Sequence, residues 1–318
     1  MKPLKQSIPI VLIVMMCAVL QACGKQEQPP SPDGKMKIVT SLFPLYDFTR
    51  QIGQQKVEVA LLLPPGVEAH SFEPTPADMK RIQHADVFIF TGRFMEPWVD
   101  DLLKGIDNRK LMVINAGKGV LTLKAADEHP EEGPSHFKRT EGNDPHTWLD
   151  FTNAMKMVDS ITEGLSSKDP DNSMFYRKNA EKYKKKLAEL DSTYKTTLSR
   201  CKHQTLVHAG HFTFNYLAAR YGLQYMSAYR GFTPDAEPTP KRLMEMTDYL
   251  KKNHISAIFH EELIDPKVAR AIANETGASM LMLHGAHNVS RDELARGVTF
   301  LDLMEKNLNN LKVGLLCP

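Results

Sequence analysis

The chain has 318 residues, of which 42% are hydrophobic and 25% charged. This balance is ordinary for a globular protein and excludes a disordered, collagenous or coiled-coil chain; a single strongly apolar run, near the N-terminus, excludes a multi-pass membrane protein. The formal charge of +2, from 40 basic and 38 acidic residues, carries no basic surplus of the kind that marks nucleic-acid binding.

Lys2 and Lys5 open the chain, and an apolar stretch from Ile8 to Leu20 follows. It is short for a spanning helix and has the flanks of a secretory signal. Leu20-Gln21-Ala22-Cys23 resembles a bacterial lipobox, in which residues 1–22 are removed and Cys23 becomes the lipid-bearing first residue. The expectation is an exported protein anchored to a membrane by lipid, facing the periplasm or the cell exterior. Residues 23–36 are polar and contain Pro29, Pro30 and Pro32, so they read as a tether. Removal of residues 1–22 takes away Lys2 and Lys5 and no acid, so 38 basic residues then balance 38 acidic ones. No polybasic patch would assist the lipid. Two further cysteines, Cys201 and Cys317, fit no cysteine-based metal motif. Export permits a disulfide between them, and two unpaired thiols are the alternative.

Beyond the tether, apolar β-type runs alternate with helical patterns. Candidate strands are 37–41, 57–63, 86–90 and 110–115, then 205–208, 224–228, 257–260 and 279–283. Candidate helices are 75–83, 212–221, 239–253, 265–276 and 292–311. Strands without polar alternation, separated by helices, predict parallel sheets covered on both faces. The fold class is α/β. Residues 124–143 are polar and carry Pro130, Gly133, Pro134 and Gly142, which predicts a surface loop.

One segment departs from this rhythm. Asp169-Pro170 reads as a helix start. Apolar side chains then recur at Phe175, Ala180, Tyr183, Leu187, Leu190, Tyr194 and Leu198, in steps of mostly three and four. A helix of roughly thirty residues would span about 45 Å. It divides the chain into an N-terminal lobe (37–168), a rigid connecting helix (169–200) and a C-terminal lobe (201–318).

The 12 histidines sort by their place along the strands. Ligands of open α/β sheets bind beyond the carboxyl ends of the strands. His84, His203 and His254 precede strands and read as surface residues. His70, His208, His211, His260, His284 and His287 follow strands, and His146 lies in Asp144-Pro145-His146-Thr147-Trp148-Leu149-Asp150, ahead of a helix. Imidazoles gathered at the functional ends of both halves point to a transition metal. No HxH or HExxH spacing accompanies them.

Several motifs carry a resemblance. They are Pro64-Pro65-Gly66-Val67-Glu68-Ala69-His70-Ser71-Phe72-Glu73-Pro74-Thr75-Pro76, Glu96-Pro97-Trp98, the 144–150 element, His211-Phe212-Thr213-Phe214-Asn215-Tyr216-Leu217 with Tyr221-Gly222-Leu223, and Ala236-Glu237-Pro238-Thr239-Pro240. Over residues 37–312 the chain resembles the cluster A-I substrate-binding proteins of bacterial zinc and manganese ABC importers. The resemblance implies two α/β lobes on one long helix, a transported metal and an ABC permease as partner. It implies metal ligation by His70, His146 and His211. The fourth family position is usually acidic, whereas this chain has His284-Gly285-Ala286-His287. His284 fits that position best by its place after the last strand; His287, Glu262 and water are the competitors.

Three or four histidines favour Zn²⁺, with Mn²⁺ or Fe²⁺ as the alternative cargo. A closed four-coordinate cage carries metal without activating water, so the reading is a monomeric receptor and not an enzyme. Asp144 either orients His146 or caps the following helix. Asp127, Glu128, His129, Glu131, Glu132 and His136 form either a weak metal-capture loop or a solvated acidic one. The rival classes are a zinc hydrolase, with Glu261 or Glu262 as base, and an adhesin, a role that lipoproteins of this type combine with transport.

Overall fold

The structure, a computed structural model, describes residues 34–124, 143–229, 231 and 238–318. The signal, Cys23 and the acidic stretch 127–136 lie outside the described residues.

The first sheet is built from β1 (Met36–Thr40), β2 (Val57–Leu61), β3 (Val87–Phe90) and β4 (Met112–Asn115), all parallel, in the order β2-β1-β3-β4. The second is built from β5 (Thr205–His208), β6 (Gln224–Ser227), β7 (Ala257–His260) and β8 (Ser279–Met282), also parallel, in the order β6-β5-β7-β8. The two sheets thus repeat one topology although no sequence repeat links them. In each the strand order reverses beside the first strand, which opens a crevice at the carboxyl ends.

Helices α1 (Phe43–Gly53), α2 (Pro76–Gln83), α3 (Val99–Lys104) and α4 (Phe151–Lys168) accompany the first sheet. The long helix α5 (Ser173–Leu198) follows, then α6 (Asn215–Tyr221), α7 (Pro240–Lys252), α8 (Lys267–Thr276), α9 (Arg291–Ala295) and α10 (Phe300–Gly314). Helix α1 escaped the sequence reading, although Leu45, Phe48 and Ile52 already show helical spacing, and all three are buried. The single helix expected over 292–311 is two. Ser290 and Thr299 each form a capping box, with Glu293 and Asp302 respectively, and Gly297 turns left-handed between them (φ 71°).

The connecting helix has 26 residues, or about 39 Å of rise. Asp169 does not cap it. A 3₁₀ turn at Pro170–Asn172 intervenes, and the Asp169 carboxylate accepts instead from Tyr176 Oη and Asn172 Nδ2. The buried face of α5 enters one apolar core that runs through both lobes. Phe48 of α1 packs edge-on to Phe300 of α10 at 5.1 Å and lies 5.8 Å from Tyr183 of α5. Phe151 of α4 lies 5.4 Å from Tyr194 of α5. Polar pins cross the same seam. Asp47 Oδ2 accepts from Tyr183 Oη and from the Phe300 amide, both at 3.0 Å, and Tyr194 Oη donates to the Met304 carbonyl.

Cys201 and Cys317 form a disulfide, which ties the end of α10 to the residue chain just past α5. His203, expected at the surface, is buried beside this junction, and its amide donates to the Leu315 carbonyl. The bridge closes a loop with a sequence separation of 116. Loop closure of that size restricts the unfolded chain, so Cys201→Ser should lower unfolding free energy by about 2–5 kcal/mol. Denaturant titration under oxidising conditions measures it; an unchanged midpoint would show the bridge to be dispensable.

Candidate metal centre

Three loops at the carboxyl ends of the two sheets meet across the cleft. His70 comes from the loop between β2 and α2, His146 from the turn ahead of α4, and His211 from the loop after β5. Their Nε2 atoms converge: His146 Nε2 is 3.1 Å from His70 Nε2 and 3.3 Å from His211 Nε2. Among the described residues these three offer ligand atoms that all lie within 4.8 Å of one another. His146 and His211 are fully buried, whereas His70 is half-buried and forms the accessible side.

Each buried ring is aimed by a carboxylate behind it. Asp144 Oδ1 accepts from His146 Nδ1 at 2.8 Å and from the His146 amide at 3.0 Å. This fixes the tautomer that turns the Nε2 lone pair toward the cleft. Asp144 therefore orients His146; the cap of α4 is Asp150, which accepts from the Thr152 and Asn153 amides. On the other lobe, Glu261 accepts from the His211 amide at 3.1 Å and pairs with His211 Nδ1. Gly210 makes room for this arrangement, because a Cβ there would lie 2.5 Å from Glu261 Oε1 and from His208 Cε1.

The surroundings set opposite proton affinities. Burial, reinforced by neighbouring imidazoles, holds His70 and His146 well below the ordinary histidine range. Burial also opposes charge on His211, but the Glu261 carboxylate outweighs it and raises His211. Glu261 is driven down to about 2: burial works against its charge and His211 overcomes that. Burial pushes Asp144 up to about 7.

A short strap after β8 carries both candidates for a fourth position, His284 and His287. His284, the expected candidate, is not among the rings brought together. Its Nδ1 accepts from the Ala286 amide at 3.0 Å, its Nε2 lies 3.9 Å from Glu293 Oε2, and Asn307 grips its backbone at both N–H and C=O. His287 faces the trio instead, with ring centroids 6.1, 6.2 and 6.0 Å from His70, His146 and His211. The chain turns back at Ala286, which adopts a left-handed φ of 59°. Gly285 supplies space, since a Cβ there would sit 2.8 Å from His287 Nδ1.

The remaining histidines have other partners. His208 is buried beneath the site, 3.1 Å from Tyr225 Oη and edge-on to Phe214. His260 Nδ1 contacts the Glu261 carbonyl, and His84 and His254 are exposed. Sequence reasoning had considered Glu261 only as a base; its place directly after the carboxyl end of β7 was the available signal for its role behind His211.

The family profile described as "Zinc-uptake complex component A periplasmic" matches residues 38–314. The chain belongs to the ZnuA family. It is 35% identical over 311 residues to the high-affinity zinc uptake system protein ZnuA of Bacillus subtilis strain 168, covering 96% of this chain and 97% of that one. It is 38% identical over 307 residues to the zinc-binding lipoprotein AdcA of Streptococcus pneumoniae R6, covering 95% of this chain but only 60% of that longer protein. The solved structure of the Zn(II)-bound ZnuA-like domain of Streptococcus pneumoniae AdcA superposes with a TM-score of 0.75 at 36% identity, over 89% of this chain and 99% of that one. That domain shares the two-sheet architecture described above.

The electrostatics are measurable without metal. In the metal-free protein, NMR titration should show His211 keeping its proton above the ordinary histidine value of about 6.5, while His70 and His146 stay neutral well below it. Glu261→Gln should bring His211 down. A normal His211 titration in both proteins would refute the Glu261 assignment.

Proposed function

We propose that this protein is an exported zinc receptor: it captures Zn²⁺ between its lobes and delivers it to an ABC permease. The observation that carries this reading is the spacing of the ligand nitrogens. Zn–N bonds of about 2.0–2.1 Å in a tetrahedron put neighbouring nitrogens about 3.3 Å apart. The His70–His146 and His146–His211 separations are 3.1 and 3.3 Å. Membership of the ZnuA family, and the zinc named for its relatives, support the same cargo.

The ligands in this reading are His70, His146, His211 and His287. His287 replaces His284 as the fourth because its ring faces the other three. Four imidazoles and no carboxylate make a nitrogen-only site, which favours Zn²⁺ over the oxygen-seeking Mn²⁺ alternative. The carboxylates of Asp144 and Glu261 stand behind the rings, where they compensate the ion's charge without adding oxygen ligands. A filled tetrahedron leaves no position for a reactive water, so the reading is carriage and not hydrolysis. Cys23 is the lipid attachment point, residues 23–36 are the tether, and the receptor works as a monomer.

Two experiments test this. Zinc titration of the chelator-stripped chain should give tight one-to-one binding with Mn²⁺ a poor competitor. His70→Ala and His287→Ala should each weaken it by orders of magnitude, whereas His284→Ala should cost about 10–100-fold as a supporting residue. Equal losses for His284→Ala and His70→Ala, with none for His287→Ala, would return the fourth position to His284. Separately, Cys23→Ala should leave an uncleaved or soluble precursor that carries no lipid; unchanged membrane partitioning together with unchanged mass would refute the lipid anchor.

A further inference from the structure

The strap that carries His287 leaves the second sheet but is bonded largely to the first lobe. On the C-lobe side, Asn307 holds His284, and Glu262 Oε2 accepts from the Gly285 amide at 2.8 Å. Past that point the bonds change sides. Trp148 Nε1 donates to the Gly285 carbonyl, the Phe43 amide to the His287 carbonyl, and the Gly66 amide to the Val289 carbonyl. Asn288 completes the lacing. Its side chain is fully buried, and Nδ2 donates to the carbonyls of both Pro64 (2.8 Å) and Val67 (2.7 Å). Its Oδ1 accepts from the Val289 amide at 2.8 Å, which fixes the orientation of the carboxamide.

Pro64 and Val67 belong to the loop that presents His70. Asn288 is adjacent to His287. One carboxamide therefore links the backbones of two arms of the site, three residues from one imidazole and one residue from the other. Both of its N–H donors are spent on this link, so no other side chain of similar size reproduces it: aspartate lacks the donors and leucine lacks every polar atom.

We infer that Asn288 is a positioning residue that fixes His287 relative to His70 and so makes the site four-coordinate. This rests on the reading of His287 as a ligand. His287, a residue of the C-terminal lobe, is thereby tied to the first lobe as well, through the contacts on either side of it.

Cobalt(II) distinguishes coordination number directly, because tetrahedral Co²⁺ absorbs visible light far more strongly than five- or six-coordinate Co²⁺. The purified full chain, in detergent, should bind Co²⁺ with intense visible bands that His70→Ala abolishes. Asn288→Asp, which keeps the shape and removes the donors, and Asn288→Ala should both weaken those bands and lower zinc affinity about 10–100-fold. In a His287→Ala background the Asn288→Ala change should cost less than about threefold, because its effect passes through His287. A general packing defect would cost the same in both backgrounds, and that result overturns the inference. So do full-strength bands and unchanged affinity in both Asn288 variants. Absence of any His70-dependent cobalt band in the unmodified chain overturns the receptor reading itself.

Discussion

Imidazoles from two separate sheets can share one ion only if the sheets are held at a fixed separation, to within a few tenths of an ångström at the nitrogens. That constraint organises the molecule. The core does not stop at the lobe boundary: Phe48, Phe151, Tyr183, Tyr194 and Phe300 form a continuous aromatic seam around α5. Asp47 adds a polar pin at its centre, joining α1, α5 and the start of α10 through one carboxylate. A second pin lies nearer the cleft, where Arg220 of α6 holds Asp191 of α5 through two nitrogens and reaches Asp150, the cap of α4, with the third. Receptors that close by large hinge motion join their lobes with flexible strands; a packed helix of this length removes that freedom.

With the scaffold fixed, the site's chemistry is a competition between a proton and a metal ion. His70 and His146 are held neutral by burial, so both present lone pairs at no cost near neutral pH. His211 differs. Glu261 makes it a better base, so in the proposed site an incoming ion would have to displace a proton from it as pH falls toward its raised pKa. Affinity is therefore fully expressed above that value and lost below it.

The strands and the long helix were legible because their signals are local. Uninterrupted apolar runs marked the eight strands of the described residues to within two residues, the strand ends placed His70 and His211 on the cleft side, and His146 was marked by the 144–150 element ahead of a helix. The fourth position was not legible for a physical reason. His284 stands nearest the strand, and spacing alone favours it. The position of the His287 ring beside the other three depends on a left-handed residue at Ala286, where alanine gives no hint of positive φ, and on Asn288 bonding to Pro64, 224 residues away in sequence. The break between α9 and α10 was legible in principle, since Ser290 and Thr299 each precede an acid by three residues, but hydrophobic periodicity concealed it.

The central claim is a nitrogen-only, four-coordinate zinc site, and X-ray absorption at the zinc edge of the loaded protein tests it most directly. The account predicts a single first shell of four nitrogens at about 2.0–2.1 Å, with the outer-shell scattering of imidazole rings. A shell that needs an oxygen, or a coordination number above four, would contradict it.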